Sequence, residues 1–207
     1  MGQGDRALHL PSAPHRTHLT LARCPRQRSE PALDVNKYSI SDTKLHQSSR
    51  KPLLFVDIDG VLSLWGFGMD EWPNDGAWHR IDGVSHFLSA RAARHLQALC
   101  AQFEPVWCSG WEEKADEYLP LLFGLPRFPH LSFERNPGRG LAHWKLDSID
   151  SYAENRSLAW IDDAFNDACV AWARDRSAPT LLVPTEPSTG LDDVAAEKLE
   201  RWALRPV

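Results

Sequence analysis

The chain is short of the residues and patterns that would mark several common classes. Its four cysteines, Cys24, Cys100, Cys108 and Cys169, are widely scattered and form no C-x-x-C pair. Disulfide frameworks and zinc sites therefore lack support, and a reducing compartment is expected. No apolar run approaches the roughly 20 residues that span a bilayer. The reading is of a soluble protein with no membrane partner. No secretory-type apolar stretch occurs in residues 1–50, so cytoplasmic localisation is expected. No internal repeat is visible. An excess of positive charge is missing as well: 23 Lys and Arg face 28 Asp and Glu, a net charge of −5. Residues 1–51 hold nine basic and four acidic side chains, +5; residues 52–207 hold 14 and 24, −10. The acidic part offers no broad attraction for nucleic acid, so stable nucleic-acid binding there is not expected.

What is present is ordinary for a globular protein, with 43% apolar and 25% charged residues, apart from nine tryptophans that favour aromatic packing. Residues 1–50 are rich in Pro, Ser, Arg and His without helical or alternating period. They are expected to be a disordered basic extension, with the folded domain over residues 52–207.

The most informative stretch is Leu53-Leu54-Phe55-Val56-Asp57-Ile58-Asp59-Gly60-Val61-Leu62. A continuous apolar run between Pro52 and Gly60 predicts a buried parallel strand. It runs into two acids spaced to project to one side. Further strands are predicted at 105–108, 158–161 and 180–183, with a short one at 130–133. Helices are predicted at 89–102, with Ser89 as N-cap, at 112–122, 143–152, 165–174 and 191–204. Residues 63–84, with their Gly, Pro and Trp content, predict a loop or β-hairpin flap over the acids. Its aromatics are expected mainly to pack the flap onto the core. Alternating strands and helices predict an α/β fold: a three-layer, Rossmann-like parallel sheet with only a small flap insert.

In such a sheet all strand carboxyl ends share one edge. Asp57 and Asp59, Ser109, and Asp162 and Asp163 would converge there. Clustered acids repel unless a cation screens them. Hard oxygen donors suit Mg²⁺, and Ser109 and Lys145 supply a hydroxyl and a cation for an anion beside it. Duller roles are open for each. Asp162 or Asp163 could cap the next helix. Ser109 is a common turn residue, Lys145 could be merely solvated, and Arg139 or His143 could take its place. Asp167 reads as a surface acid, and Cys108 as a buried structural thiol.

Asp57-Ile58-Asp59-Gly60-Val61-Leu62 resembles the first motif of the haloacid dehalogenase-like (HAD) phosphohydrolases. Ser109 after a strand, Lys145, and Trp160-Ile161-Asp162-Asp163 resemble the second, third and fourth, in order. The wording of the last three is similar to a compact bacterial subgroup related to the phosphatase domains of RNA- and DNA-end repair proteins. The resemblance covers about residues 52–190. It implies a Mg²⁺-dependent phosphomonoester hydrolase acting through an aspartyl-phosphate. Asp57 would be the nucleophile and Asp59 the proton shuttle, with Ser109 and Lys145 completing the catalytic set. Asp57, Asp59 (through its carbonyl), Asp162 and Asp163 would hold the metal, and Ser109, Gly110, Trp111 and Lys145 would bind the phosphorylated substrate.

One departure stands out. The related polynucleotide phosphatases carry Arg where this chain has Trp111, which can stack on a base but cannot give a bidentate phosphate contact. The implied substrate is a nucleotide or a nucleic-acid 3′-phosphate end. Alternatives are a small metabolite or phosphoprotein, a phosphotransferase activity, and a non-catalytic binding module.

Overall fold

A computed structural model describes residues 50–68, 72–133 and 142–205. The extension expected over residues 1–50 lies outside them save Arg50, and so does Arg139.

The central sheet is built from β1 (Leu53–Val56), β5 (Glu104–Trp107), β6 (Leu158–Asp162) and β7 (Thr180–Pro184), in the order β5-β1-β6-β7. Every neighbouring pair is parallel. All of β1 and β6 is buried, as strands covered on both faces must be. Alternate residues of β1 serve opposite layers. Leu54 and Val56 pack with Leu96, Leu99, Leu119 and Leu199. Leu53 and Phe55 pack with Ile149, Ala153, Trp160 and Cys169. The helices that supply those partners define the outer layers. On one side lie α1 (Ala90–Leu99), α2 (Glu113–Phe123) and α5 (Asp193–Ala203); on the other lie α3 (Leu146–Ala153) and α4 (Asp167–Asp175). The three-layer α/β architecture expected from the sequence is the one observed.

Helix starts follow local chemistry. Ser89 Oγ accepts from the Ala92 N–H at 3.1 Å, as its N-cap role requires. Asp192 does the same for α5, accepting from Ala195 N at 2.9 Å. The start of α4 is capped by Asn166, whose Oδ1 accepts from Cys169 N at 3.2 Å. Asp162 and Asp163 are thereby released from the capping role the sequence left open.

The flap is a three-stranded antiparallel sheet in the order β2-β4-β3, from β2 (Ser63–Leu64), β3 (Gly76–Ile81) and β4 (Val84–Ser89). It is more ordered than a loop because Trp78 pairs across from Phe87, and Phe67 and Trp72 pack edge-on against Trp78 or Phe87. The strand predicted at 130–133 shrinks to one bridge between His130 and Trp107. The contact consists of Trp107 N donating to Pro129 O at 2.8 Å and Leu131 N to Trp107 O at 2.9 Å. The predicted helix over 143–152 divides into a 3-10 turn, Ala142–Lys145, followed by α3.

Candidate active site

The strand ends are levelled by the sheet register. Val56 lies beside Trp107 on one flank and Ile161 on the other. The next residues, Asp57, Cys108 and Asp162, therefore emerge side by side. Asp57 N donates to Ile161 O at 3.0 Å, and Cys108 N to Val56 O at 2.8 Å. Ser109 follows one residue further along its strand and is buried.

Lys145 closes this row from the 3-10 turn. Its Nζ lies 3.0 Å from Asp57 Oδ2 and donates to Asp162 Oδ2 at 2.6 Å. The side chains of Lys145 and Asp162 are only 4% and 1% exposed. An ammonium buried this deeply survives only when paired. Burial alone would pull its pKa down, but Asp57 and Asp162 together hold it well above the ordinary lysine range. Asp162 is pushed up by burial and by the Asp57 charge, against the pull of Lys145. Its second oxygen, Oδ1, accepts from Ala164 N at 3.0 Å. The remaining oxygen of Asp57, Oδ1, accepts from Ile58 N at 2.8 Å.

Asp163 is held differently. Its carboxylate lies against Gly60, where an added Cβ would overlap it. Gly60 also has a φ of +75°, which only glycine adopts without strain. Thr185 ties down the same turn, its Oγ1 donating to Gly60 O at 2.9 Å. Burial, then the Asp57 charge, raise the Asp163 carboxyl to about 6. Carboxylate oxygens of Asp57, Asp162 and Asp163 all lie within 4.8 Å of one another. Three carboxylates against one ammonium leave two negative charges in excess, which matches one divalent cation.

Asp59 belongs to another environment. The chain turns sharply after it, with the N–H groups of Val61, Leu62 and Ser63 all directed at Ile58 O. Its side chain is 54% exposed. Crowding by the surrounding protein still raises its carboxyl, opposed by a hydrogen bond from Trp111 and by His86. Trp111 Nε1 donates to Asp59 Oδ2 at 3.1 Å, and His86 Nδ1 lies 3.7 Å from Asp59 Oδ1. The His86 and Trp111 rings meet edge-to-face at 4.7 Å.

The structure thus brings together Asp57, Lys145, Asp162 and Asp163 directly, with Ser109 at the adjoining strand end. Trp111 lies against Asp59, and Gly110 is exposed beside it. Cys108 is fully buried and burial pushes its thiol well up, which suits a structural role. His143 is exposed and pairs with Asn166 at 3.0 Å. Asp167 is exposed at the first residue of α4. His86 is the residue that sequence reasoning missed. Its signal was the polar partner it shares with a strand 23 residues away, the Ser63 hydroxyl at 3.1 Å, and strand pairing alone reveals that.

Among the described residues no helix is long and apolar enough to cross a membrane. A comparison with curated proteins found no match. A family model described as the HAD domain in Swiss Army Knife RNA repair proteins matches residues 53–196. That match spans most of the chain and covers every strand of the central sheet with its row of acids, so the chain belongs to the HAD-like superfamily, in the family of HAD domains found in RNA repair proteins.

Proposed function

We propose that this protein is a Mg²⁺-dependent phosphomonoester hydrolase that works through an aspartyl-phosphate on Asp57. The observation that carries the reading is Lys145, buried between Asp57 and Asp162. A structural ion pair needs one acid. A lysine shared by two, beside a third, is arranged to sit against a nucleophilic carboxylate and to meet an incoming anion.

The roles follow from the surroundings of each group. Asp57 sits at a buried strand end with its Oδ1 fixed by a backbone N–H, which leaves its position well defined for attack on phosphorus. Covalent capture there divides one difficult displacement into two. Lys145 offsets the charge that builds up as the phosphoryl group meets Asp57. Ser109, at the end of β5, would hydrogen-bond a phosphoryl oxygen, with Gly110 and Trp111 bordering the same approach. Asp59 would give a proton to the leaving oxygen and then take one from the water that hydrolyses the intermediate. Its greater exposure suits a group that must exchange protons.

The donor set fits a divalent metal: all oxygen, hard, and carrying two uncompensated negative charges. Asp57 and Asp163 would hold Mg²⁺, together with the Asp59 backbone carbonyl. Asp162, whose two oxygens each accept one hydrogen bond, from Lys145 and Ala164, would orient Lys145 and, with lone pairs left on both oxygens, complete the acid set around the metal. When bound, Mg²⁺ would screen the anionic nucleophile from the anionic substrate and polarise the phosphoryl oxygens.

The family's link to RNA repair supports a phosphorylated nucleotide or a nucleic-acid 3′-phosphate end as substrate. A flap this small, with strands of two to six residues, also suits a large substrate better than one that must be engulfed. The acidic charge of residues 52–207 argues for recognition of the end alone rather than stable binding along the strand.

The test is phosphate release with Mg²⁺ from an aryl phosphate, nucleotides, sugar phosphates, 3′-phosphorylated oligonucleotides and phosphopeptides. Asp57→Asn should abolish release, by about 10³-fold or more. Activity unchanged in that variant would overturn the mechanism. A preference for sugar phosphates or phosphopeptides would overturn the substrate reading.

A further inference from the structure

Asp59 is half exposed, and nothing in its own backbone stops its side chain from changing rotamer. A proton shuttle in that condition would spend much of its time facing the wrong way. Three elements meet around it. Trp111, in the loop between β5 and α2, donates its indole N–H to Asp59 Oδ2. His86, on the flap strand β4, places Nδ1 3.7 Å from Asp59 Oδ1 and shares a 3.1 Å contact with the Ser63 hydroxyl of β2. The two rings brace each other edge-to-face. His86 is itself mostly buried, with 16% of its side chain exposed, so the brace is held by flap packing.

We propose that Trp111 and His86 are positioning residues that fix the orientation of Asp59 and decide which of its oxygens carries the proton. The proposal rests on the phosphohydrolase reading above. An indole N–H can only donate. Asp59 Oδ2 therefore remains an acceptor in every protonation state, and the acid proton resides on Oδ1. As the bond from phosphorus to the leaving oxygen breaks, that proton passes from Oδ1 to the oxygen. In the second step Oδ1 takes a proton from the attacking water, whose oxygen joins phosphorus as the bond to Asp57 breaks. Orientation of this kind acts on turnover rather than on substrate affinity. It also gives position 111, where the related polynucleotide phosphatases carry Arg, a role centred on the acid.

Trp111→Phe keeps an aromatic ring for His86 to pack on and removes the N–H together with one of the two fused indole rings. With the full chain and Mg²⁺, kcat for an alkyl phosphate should fall by about tenfold or more, with KM nearly unchanged. The fall should be several-fold smaller for 4-nitrophenyl phosphate, whose leaving group departs without a proton. Equal falls on both esters, or none on either, would overturn the proposal. A second measurement needs no turnover. The indole N–H signal that Trp111→Phe deletes from the ¹H–¹⁵N spectrum should exchange slowly, and should lose that protection in Asp59→Ala. Unaltered protection would overturn the clamp. A wild-type chain that releases no phosphate from either ester would count against the hydrolase reading alone, while the exchange result would still decide whether Asp59 is held.

Discussion

Asp57 and Asp59 lie two residues apart on one strand end, yet they sit in different solvents. The side chain of Asp57 is 11% exposed and rests on a buried ammonium; that of Asp59 is 54% exposed and touches an indole N–H and an imidazole. The core supplies the first environment, through β6 and the 3-10 turn. The flap and the loop after β5 supply the second. One short motif thereby provides two unlike carboxylates. A charge meant to stay needs a partner charge and no water; a charge meant to come and go needs water and neutral or switchable neighbours.

The contrast between the two acids rests most heavily on Lys145. Lys145→Met leaves Asp57 and Asp162 buried with no cation. Removing one partner of a buried pair costs about 3–5 kcal/mol, which at about 2–4 °C per kcal/mol in a chain of this size is a large fall in Tm. The double change Lys145→Met with Asp162→Asn should recover part of that fall, because a neutral amide replaces one stranded charge. An unchanged Tm in the single variant would mean that the cluster is not held as an ion pair. No comparable fall is expected from Asp59→Asn, whose carboxylate faces water.

The acids of the core also set a pH test. Burial raises Asp163 to about 6, above the unfolded value near 4. The folded chain therefore binds this proton more tightly than the unfolded chain. In the metal-free protein this group contributes stability that is fully present below about pH 4 and is lost as pH rises through about 6. Mg²⁺ competes for the same oxygen, so its stabilising effect should run the other way, strong near pH 8 and gone by about pH 5. Tm measured with EDTA and with MgCl₂ across that range checks both signs. A Mg²⁺ shift that is the same at both ends would remove Asp163 from the metal site.

The core of this picture was legible in the sequence because it is built from contiguous signals. An apolar run followed by Asp57 and Asp59, and a second run followed by Asp162 and Asp163, mark strand ends, and parallel topology does the rest. Lys145 was harder. A lysine flanked by Trp144 and Leu146 has no local feature to say that it is buried, and only the turn that carries it brings it beneath the sheet edge. The exposed half of the site was harder still. His86 reaches Asp59 through antiparallel pairing of β4 with β2 and β3, and Val84–Ser89 is too mixed a stretch to announce itself as a strand. Trp111 was read by the residue it replaces, an arginine, and its N–H contact with Asp59 depends on a turn that no spacing rule encodes.

The smallest expected effect tests whether the flap needs an outside tether to serve Asp59. The hairpin between β3 and β4 turns at Asp82, a non-glycine residue with φ of +50°. Its carboxylate takes hydrogen bonds from Lys114 and from Tyr118 on α2, and these hold it below the usual carboxylate range. The same helix starts at Glu113, two residues after Trp111, so the contact joins the flap that carries His86 to the segment that carries the indole. Asp82 and Lys114 are exposed and Tyr118 is half-buried, and exposed charge pairs contribute little and weaken with salt. Lys114→Gln should scarcely move Tm. Turnover should fall by no more than about threefold, and the wild type should approach the variant as ionic strength rises. A much larger, salt-independent loss would mean that the flap is held from its tip. Aromatic packing of Trp78, Phe87 and Phe67 would then not be what keeps His86 beside Asp59, and the division between a rigid core acid and a flap-held acid would need redrawing around α2.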